Sequence, residues 1–311
     1  LGRTDRLFKH FLVGMLLIST VAASAAVRAY TVLVWGDSLS AAFRNLESDA
    51  QEDLTKRYGE FVALDSLSLN VNRGQILGFI GPNGAGKTSI LNSISGFYHP
   101  DEGQILFEGR DITRLAAHRR AALGIGRTFQ NIALYRGMSA LDNIKLGAHS
   151  HLKTGLLASL CYWGPAHREE MALRCKVEKD IIDFLEIETI RKLPVGSLAY
   201  GLQKRVELGR ALAMRPKILL MDEPVTGMNA EETEDMARFI LDINEEHNMT
   251  IVLIEHDMKV IMDISDRVLV LNFGQILAEG KPGDVQQHPE VVKAYLGEKK
   301  ARNGHIPSAA R

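Results

Sequence analysis

Cysteine is scarce in this sequence, which has only Cys161 and Cys175 among its 311 residues. Two thiols exclude a disulfide scaffold and a zinc site built from cysteines. An excess of one charge is also missing, because the formal net charge is -1, and we therefore predict no nucleic-acid partner. A composition that is 46% hydrophobic and 24% charged excludes a wholly disordered, collagen-like or multi-span membrane chain. The length predicts roughly two domains or lobes.

A long apolar run occurs near the start of the chain. It covers residues 11–27, follows the basic residues Arg3, Arg6 and Lys9, and ends in small residues. This order is typical of a secretory signal, whereas a membrane-spanning helix needs about 20 apolar residues. A short membrane anchor and a non-functional extension are the alternatives for this segment.

The next motif is Gly36-Asp37-Ser38-Leu39, which follows a predicted buried strand. A serine on such a turn is a candidate nucleophile. With the signal-like run, residues 1–47 resemble the opening of a secreted GDSL (SGNH-type) esterase. That resemblance implies a base in an Asp-x-x-His sequence, but none of the ten histidines has aspartate three positions before it. We therefore interpret residues 1–48 as an extension without function, 49–297 as the functional unit and 298–311 as a disordered polar tail.

A glycine-rich loop follows the predicted apolar strand 75–80 and precedes a helical apolar pattern. Strand, G-x-x-x-x-G-K-T and helix in this order predict a P-loop. Glycines let backbone N–H groups surround a phosphate chain, and the helix N-terminus adds a partial positive charge. Lys87 would reach the β- and γ-phosphates, and the Thr88 hydroxyl would bind Mg²⁺. The candidate nucleotide-binding residues of this segment are Gly81, Pro82, Asn83, Gly84, Ala85, Gly86, Lys87, Thr88 and Ser89.

Two adjacent carboxylates end the predicted strand 217–221. An acidic residue after a buried strand, in a chain with a P-loop, is the Walker-B arrangement. Asp222 is the candidate Mg²⁺ ligand, and Glu223 is the candidate residue that polarises the attacking water. These motifs alone predict a P-loop NTPase of unspecified kind.

A further glycine, Gly201, lies near the start of a helical pattern just before the Walker-B strand. Residues 198–212 resemble the signature motif and helix of ABC ATPases. The resemblance implies that Ala199, Tyr200 and Gly201 contact ATP held by a partner subunit, with the helix N-terminus facing the γ-phosphate. Compared with the general Leu-Ser-Gly-Gly-Gln of the family, Ala199, Tyr200 and Leu202 are departures. One lost hydroxyl contact costs about 0.5–1.5 kcal/mol, so we expect slower hydrolysis at most.

The helical pattern after the signature motif has an apolar side and a basic side. Val206 and Leu208 are predicted to pack inward, whereas Lys204 and Arg205 are predicted to face solvent. A second helix is predicted over 231–246, with Met236, Phe239, Ile240 and Ile243 as its buried stripe.

The same resemblance implies roles for four single residues that occur in the family's order. Tyr58 would stack on adenine, and Gln130 would contact Mg²⁺ or the lytic water. Asn229 replaces the aspartate of the D-loop, and His256, after the predicted strand 250–254, would bond the γ-phosphate.

The predicted fold is an α/β P-loop NTPase core of the ABC ATPase type. Strands that alternate with helices give a mostly parallel sheet, and a smaller α-helical lobe is expected at about 131–200. The first strand of the cassette is expected to be poorly formed, because residues 48–55 lack apolar alternation.

Within the family, GIGRTFQN, the stretch 148–168 and the AEGKPGDV ending resemble the ATPase subunit of a branched-chain amino acid importer. This implies ATP and Mg²⁺ as cofactors, a second ABC ATPase subunit, transmembrane permease subunits and, indirectly, a solute-binding protein. The expected location is the cytoplasmic face of the inner membrane, which conflicts with the signal-like segment. A regulatory ABC ATPase without a permease and the secreted esterase are the alternatives.

Overall fold

This computed structural model describes residues 53–151 and 165–294. Short apolar runs form most of the strands in its central sheet. Strands that are apolar on both faces belong in a sheet covered on both sides. The strands are β1 (Leu54–Tyr58), β2 (Phe61–Leu67), β3 (Ile76–Ile80), β4 (Leu106–Phe107), β5 (Arg110–Asp111), β6 (Ile125–Arg127), β7 (Ile218–Asp222), β8 (Thr250–Ile254), β9 (Arg267–Asn272) and β10 (Gln275–Gly280).

The helices connect these strands and cover both faces of the central sheet. The α-helices are α1 (Lys87–Ser95), α2 (Ala117–Leu123), α3 (Ala140–Gly147), α4 (Pro165–Val177), α5 (Tyr200–Ala213), α6 (Ala230–His247), α7 (Met258–Ile264) and α8 (Pro282–Gln286). Among the residues that the structure describes, no helix is both long and apolar enough to cross a membrane.

The central sheet has the strand order β10-β9-β3-β8-β7-β6. Strands β3, β6, β7, β8 and β9 pair in parallel, and β10 joins the edge antiparallel to β9. Because the first of these strands in the chain, β3, lies inside the sheet, the connections must cross over its faces through helices. The mostly parallel α/β fold predicted from the sequence is confirmed.

Alternation along each strand divides the core into two layers. In β3, Leu77 and Phe79 pack into the cluster that contains Ile90 of α1, whereas Ile76 and Ile80 pack on the opposite side. Side chains two residues apart share a face of a strand. Each large side chain buried in this way contributes about 1.5–3 kcal/mol. The sheet is therefore fixed in register, and its carboxyl edge places the loops that follow β3, β7 and β8 side by side.

The first strand is better formed than the sequence suggested. Leu54–Tyr58 pairs antiparallel with β2, and Leu54 is fully buried. The register shifts twice between Leu54 and Arg57, which explains why simple apolar alternation is missing. The expectation of a poorly formed first strand is therefore wrong for residues 54–58.

Helix α6 begins with two reciprocal hydrogen bonds. The Asn229 side chain accepts from the Glu232 N–H at 2.9 Å, and the Glu232 carboxylate accepts from the Asn229 N–H at 3.1 Å. This capping box satisfies two backbone donors that a helix start leaves open. The four residues predicted as the buried stripe are all buried in the structure.

The described part of the segment between Gln130 and the signature helix contains the helices α3 and α4, joined to their neighbours by turns and short helical turns. Helix α3 packs closely on α5, because a Cβ on Gly209 would lie 3.0 Å from Ile144 Cδ1. Helix α4 lies near α3 through an ion pair of 2.8 Å between Lys145 and Glu170. A separate helical lobe over 131–200 stays a prediction, and the signal-like run, Ser38 and the polar tail lie outside the described residues.

Candidate functional site

The loop between β3 and α1 is shaped by its glycines. A Cβ on Gly86, whose φ is 101°, would lie 2.5 Å from the Ala63 carbonyl oxygen. Gly84, at φ 81°, has open space in the direction of its missing Cβ. The loop is therefore pressed against β2 on one side and open on the other. Gly86 is the N-cap of α1 and offers no side-chain cap, so the first N–H groups of the helix are available to an anion.

Lys87 folds back over this loop. Its Nζ donates to the Gly81 carbonyl at 2.6 Å and to the Pro82 carbonyl at 2.9 Å, and the residue is 6% exposed. The adjacent Thr88 is exposed on the first turn of α1. The structure thus places the loop, the Lys87 ammonium group and Thr88 together at the start of α1.

Asp222 ends β7 beside this loop and is 2% exposed. Its Oδ2 accepts from Arg127 Nη2 at 3.3 Å, whereas its Oδ1 is buried without a hydrogen-bond partner among the described residues. Burial raises the pKa of Asp222, and the charge of Arg127 opposes that shift. Burial in turn lowers the pKa of the Arg127 guanidinium, although Asp222 opposes it.

Glu223 brings together the residues predicted for hydrolysis. Its Oε1 lies 2.9 Å from His256 Nε2, and its Oε2 accepts from Gln130 Nε2 at 3.0 Å. Thr226 Oγ1 donates to the same Oε2 at 3.3 Å. Glu223 also has a left-handed backbone, with φ 53°, which is strained for a residue other than glycine and is frequent at functional sites. Segments that follow β6, β7 and β8 therefore converge on one carboxylate.

Tyr58 lies beside helix α1 at the end of β1 and is 41% exposed. Its ring meets the edge of Tyr98 at 5.5 Å between centroids, and Lys56 Nζ lies 5.5 Å from the centre of the Tyr58 ring. Partial burial raises the pKa of the Tyr58 hydroxyl, the neighbouring Tyr98 adds to the shift, and a hydrogen bond with Ser89 opposes it. The structure thus places Tyr58 close to the first turn of α1, through Ser89.

The signature residues lie at the start of α5. Ala199 is the N-cap and makes no side-chain capping bond. Gly201 packs against the Glu232 side chain, which a Cβ would displace. Tyr200 is 43% exposed and lies against Gly227, where a Cβ would come within 3.2 Å of its ring. The contacts described for these residues are therefore with the segment after Glu223 and with α6.

The prediction that the basic side of α5 faces solvent is wrong. Lys204 is 3% exposed, and its Nζ donates to the Gln130 carbonyl at 3.2 Å and lies 3.8 Å from Glu207. Arg205 is bonded to Asp235 and covers the Phe239 ring at 5.1 Å. The helical pattern could not reveal the Gln130 and Asp235 contacts, because these partners come from segments distant in sequence.

Two charged residues of the site were not predicted. Arg127 lies in the GIGRTFQN segment, whose resemblance to the family assigns no role to this arginine. Glu255 precedes His256 and is 2% exposed; its carboxylate accepts the Val225 N–H at 2.8 Å and the His256 N–H at 3.1 Å. Its position directly after an apolar strand was the signal that could have revealed it.

Glu255 makes stability dependent on pH. Burial raises the pKa of Glu255 from 4.5 to about 7, despite the backbone hydrogen bonds that lower it. The folded protein therefore binds this proton more tightly than the unfolded chain, and the resulting stability is lost as the pH rises through that interval. We expect a loss of about 3 kcal/mol in the free energy of unfolding. Urea unfolding of the Glu255→Gln variant, which cannot titrate, should lack this decrease; parallel pH profiles for both proteins would contradict the assignment.

The fold and the loop after β3 define a P-loop nucleotide-binding domain. A strand, a glycine loop with a buried lysine, and an acidic strand end beside it form one continuous site. Comparisons with known proteins narrow this class. Residues 64–226 match the family described as ABC transporter, and residues 275–301 match the family described as branched-chain amino acid ATP-binding cassette transporter.

Individual proteins agree with the family matches. The high-affinity branched-chain amino acid transport ATP-binding protein BraF of Pseudomonas aeruginosa is 41% identical over 245 residues, which cover 79% of this chain and 96% of BraF. The ADP conformation of MJ1267, an ATP-binding cassette of an ABC transporter, is 35% identical with a TM-score of 0.68, covering 79% of this chain and 97% of MJ1267. The dimeric structure of the bacterial ABC transporter cassette MJ0796 is 26% identical with a TM-score of 0.64, covering 74% of this chain and 97% of that chain.

The chain therefore belongs to the family of ABC transporter ATP-binding cassettes, and it is an ATPase of that type. The family resemblance identified from the sequence is confirmed.

Proposed function

We propose that this chain is the ATP-hydrolysing subunit of an importer for branched-chain amino acids, bound peripherally at the cytoplasmic face of the membrane. The observation that supports hydrolysis most directly is the convergence of His256 and Gln130 on the Glu223 carboxylate, at 2.9 Å and 3.0 Å. The match of residues 275–301 to the branched-chain amino acid cassette family supports the cargo.

ATP binding depends on the loop before α1. The open side at Gly84 and the uncapped N-terminus of α1 would surround the phosphates, and Lys87 would exchange its carbonyl partners for phosphate oxygens. Tyr58 is exposed enough to stack on adenine while Ser89 and Tyr98 hold its ring. These residues bind and orient the nucleotide before any bond breaks.

The oxygen donors near the loop fit Mg²⁺. Among the residues that the structure describes, Asp222 Oδ1 is buried without a hydrogen-bond partner. Thr88 presents a hydroxyl on the first turn of α1. No cluster of three or more acidic, histidine or cysteine side chains suited to a metal occurs within the described ranges. This agrees with Mg²⁺ bound by one or two protein oxygens plus substrate phosphates. When bound, Mg²⁺ would neutralise charge that develops on the phosphates.

Hydrolysis is assigned to the Glu223 group. Its carboxylate would accept a proton from the attacking water and orient that water for attack on the γ-phosphorus. Gln130 would hold the water from the other side, and His256 would donate a hydrogen bond to the γ-phosphate. The Glu255 carboxylate holds the backbone of His256 and so fixes the start of its segment.

A second subunit would complete the site. Ala199, Tyr200 and Gly201 contact neighbouring segments of their own chain, but the uncapped N-terminus of α5 remains suited to a phosphate held by a partner. The dimeric MJ0796 cassette supports this arrangement. ATP would close the two subunits over two nucleotides, and hydrolysis would let them separate.

Closure would be transmitted through the segment that contains Gln130. Lys204 of α5 holds the Gln130 backbone, and Arg210 donates to the Ala133 carbonyl at 2.5 Å. The signature helix and this segment should therefore move together. Transmembrane permease subunits would receive the movement, and a solute-binding protein would deliver the amino acid to them.

Uptake measurements test the cargo. We expect cells of the native host that carry Glu223→Gln in place of this chain to lose uptake of radiolabelled leucine, isoleucine and valine. Sulfate uptake, measured in the same cells, should be unchanged. Sulfate is an inorganic anion without the branched apolar side chain that these amino acids share. Unchanged leucine uptake alongside loss of another solute would overturn the proposed cargo while leaving the ATPase assignment intact.

A further inference from the structure

Arg127, at the end of β6, connects two parts of the nucleotide site. Its Nη1 donates to Asn92 Oδ1 at 2.7 Å and to Ser95 Oγ at 2.8 Å, both on α1. Its Nη2 donates to Asp222 Oδ2 at 3.3 Å. The Arg127 side chain is 8% exposed. A planar guanidinium can hold such divergent acceptors at once, because its donors form a rigid fork.

The contacts on α1 lie on the face that also contains Thr88. Thr88, Asn92 and Ser95 are spaced by four and three residues, which places them one above another on a helix. Arg127 therefore holds this face of α1 against the end of β7. The distance between the Thr88 hydroxyl and the Asp222 carboxylate depends on that connection.

Two aromatic rings fix the orientation of the guanidinium. Its central carbon lies 5.5 Å from the centre of the Phe97 ring and 5.1 Å from the centre of the Phe129 ring. The rings themselves meet edge to face at 5.8 Å. Stacking of this kind restrains an arginine and excludes water from it. Phe129 immediately precedes Gln130, so the restraint extends to the segment that contacts Glu223.

The ion pair with Arg127 involves only one of the two carboxylate oxygens of Asp222. Oδ2 accepts from Arg127, and Oδ1 is buried with no hydrogen-bond partner among the described residues. A buried carboxylate oxygen without a partner is unfavourable unless something binds it. Holding Oδ2 in place fixes the direction in which Oδ1 points.

We propose that Arg127 is a positioning residue that sets Asp222 Oδ1 and the Thr88 hydroxyl at the separation required for Mg²⁺. This inference rests on the proposed function, because it needs Asp222 and Thr88 to be Mg²⁺ ligands. Direct competition between Arg127 and the cation is the opposite possibility. The geometry disfavours competition, since Arg127 takes only one carboxylate oxygen and is anchored to α1 by two other hydrogen bonds.

The test separates cation affinity from nucleotide affinity. In Arg127→Lys, the charge is kept but a single ammonium cannot reach Asn92, Ser95 and Asp222 together. With ATP present, we expect the affinity for Mn²⁺, measured by electron paramagnetic resonance, to fall by about 10-fold to 100-fold, the usual effect of removing a group that orients a metal ligand. ATP affinity in EDTA, where no cation is bound, should stay unchanged.

Arg267→Lys is the matched control. Arg267 is also a largely buried arginine, and it is bonded to Asn70 and Glu279. It is the first residue of β9 and so lies at the amino end of that strand, whereas the nucleotide site lies at the carboxyl edge of the sheet. The Mn²⁺ affinity of Arg267→Lys should therefore equal that of the unaltered chain. Asn92→Ala provides a second variant with no change of charge, in which one anchor of Arg127 is lost. We expect a smaller loss of Mn²⁺ affinity there, with unfolding transitions confirming that each variant is folded.

Combination with Asp222→Asn decides between positioning and general destabilisation. If Arg127 acts through Asp222, adding Arg127→Lys to Asp222→Asn should produce little further loss of Mn²⁺ affinity. Full additivity, or tighter Mn²⁺ binding in Arg127→Lys alone, would overturn the inference. If the unaltered chain bound Mn²⁺ no better with ATP than without it, or if Asp222→Asn had no effect, the proposed function itself would fail.

Discussion

Glu223→Gln is expected to lower the rate of ATP hydrolysis by about 100-fold to 10,000-fold, the range attributed to a positioned general base. The substitution keeps the shape of the side chain and one oxygen that can accept from His256 or Gln130. An amide cannot accept a proton from water, so binding and orientation persist while proton transfer is lost. Release of phosphate from purified protein measures the rate, and calorimetric titration with ATP measures the affinity.

Glu234→Gln is a suitable control for this substitution, because Glu234 is an exposed residue of α6. Its turnover should match that of the unaltered chain. Since hydrolysis is proposed to separate the two subunits, Glu223→Gln should also accumulate as a dimer when ATP is added, which gel filtration can detect. Turnover that survives in Glu223→Gln would require another base and would remove Glu223 from the mechanism.

Local sequence order was sufficient to predict the phosphate loop and the ends of the main strands. The loop is defined by consecutive residues, and the observed bounds of β3, β7 and β8 differ from the predicted ones by at most one residue at either end. Such short, mostly apolar and fully buried strands have few alternative placements, because both of their faces must be covered.

Contacts between distant segments could not be predicted in the same way. The helical pattern predicts Lys204 to be a solvated charge, but Lys204 is buried and donates to the carbonyl of Gln130, 74 positions away. Arg127 reaches Asp222 across 95 positions. Neither contact follows from periodicity. The Arg127 contact depends on β6 and β7 being neighbours in the sheet, and the Lys204 contact depends on α5 packing against the segment after β6. The prediction for the first strand was wrong for a related reason, because the register shifts of β1 are set by its pairing with β2 and not by its own alternation.

The buried charges should also restrict the conformations of the site before nucleotide binds. Lys204, Glu207 and Asp222 are each no more than 3% exposed. Burial raises the pKa of Glu207, and the charges of Lys204 and Arg210 oppose that shift. Charges in such positions are strongly destabilising when one partner is removed. The same groups that connect the signature helix to the Gln130 segment therefore restrict the conformations from which ATP is bound.

Lys87→Ala is expected to weaken ATP binding by about 10-fold to 1,000-fold, the equivalent of losing one or two charge-assisted hydrogen bonds. Lys87 Nζ is buried against the Gly81 and Pro82 carbonyls, so the ammonium is already held where phosphates would enter. Alanine removes that charge and leaves the glycine backbone to bind the phosphates alone. ADP should be affected less than ATP, because the γ-phosphate is then absent.

Lys145→Ala is the control, since Lys145 is a partly buried lysine that pairs with Glu170 in the helical region. Its ATP affinity should not change. Lys87→Arg tests shape separately from charge: a wide guanidinium does not fit where a compact ammonium is 6% exposed, so it should not restore the affinity. Equal ATP affinities for Lys87→Ala and the unaltered chain would show that the Gly81–Thr88 loop does not hold the phosphates. Lys87→Ala acts on ATP binding, whereas Glu223→Gln acts after ATP is bound. The two substitutions together therefore assign the Gly81–Thr88 loop to binding and the Glu223 carboxylate to hydrolysis.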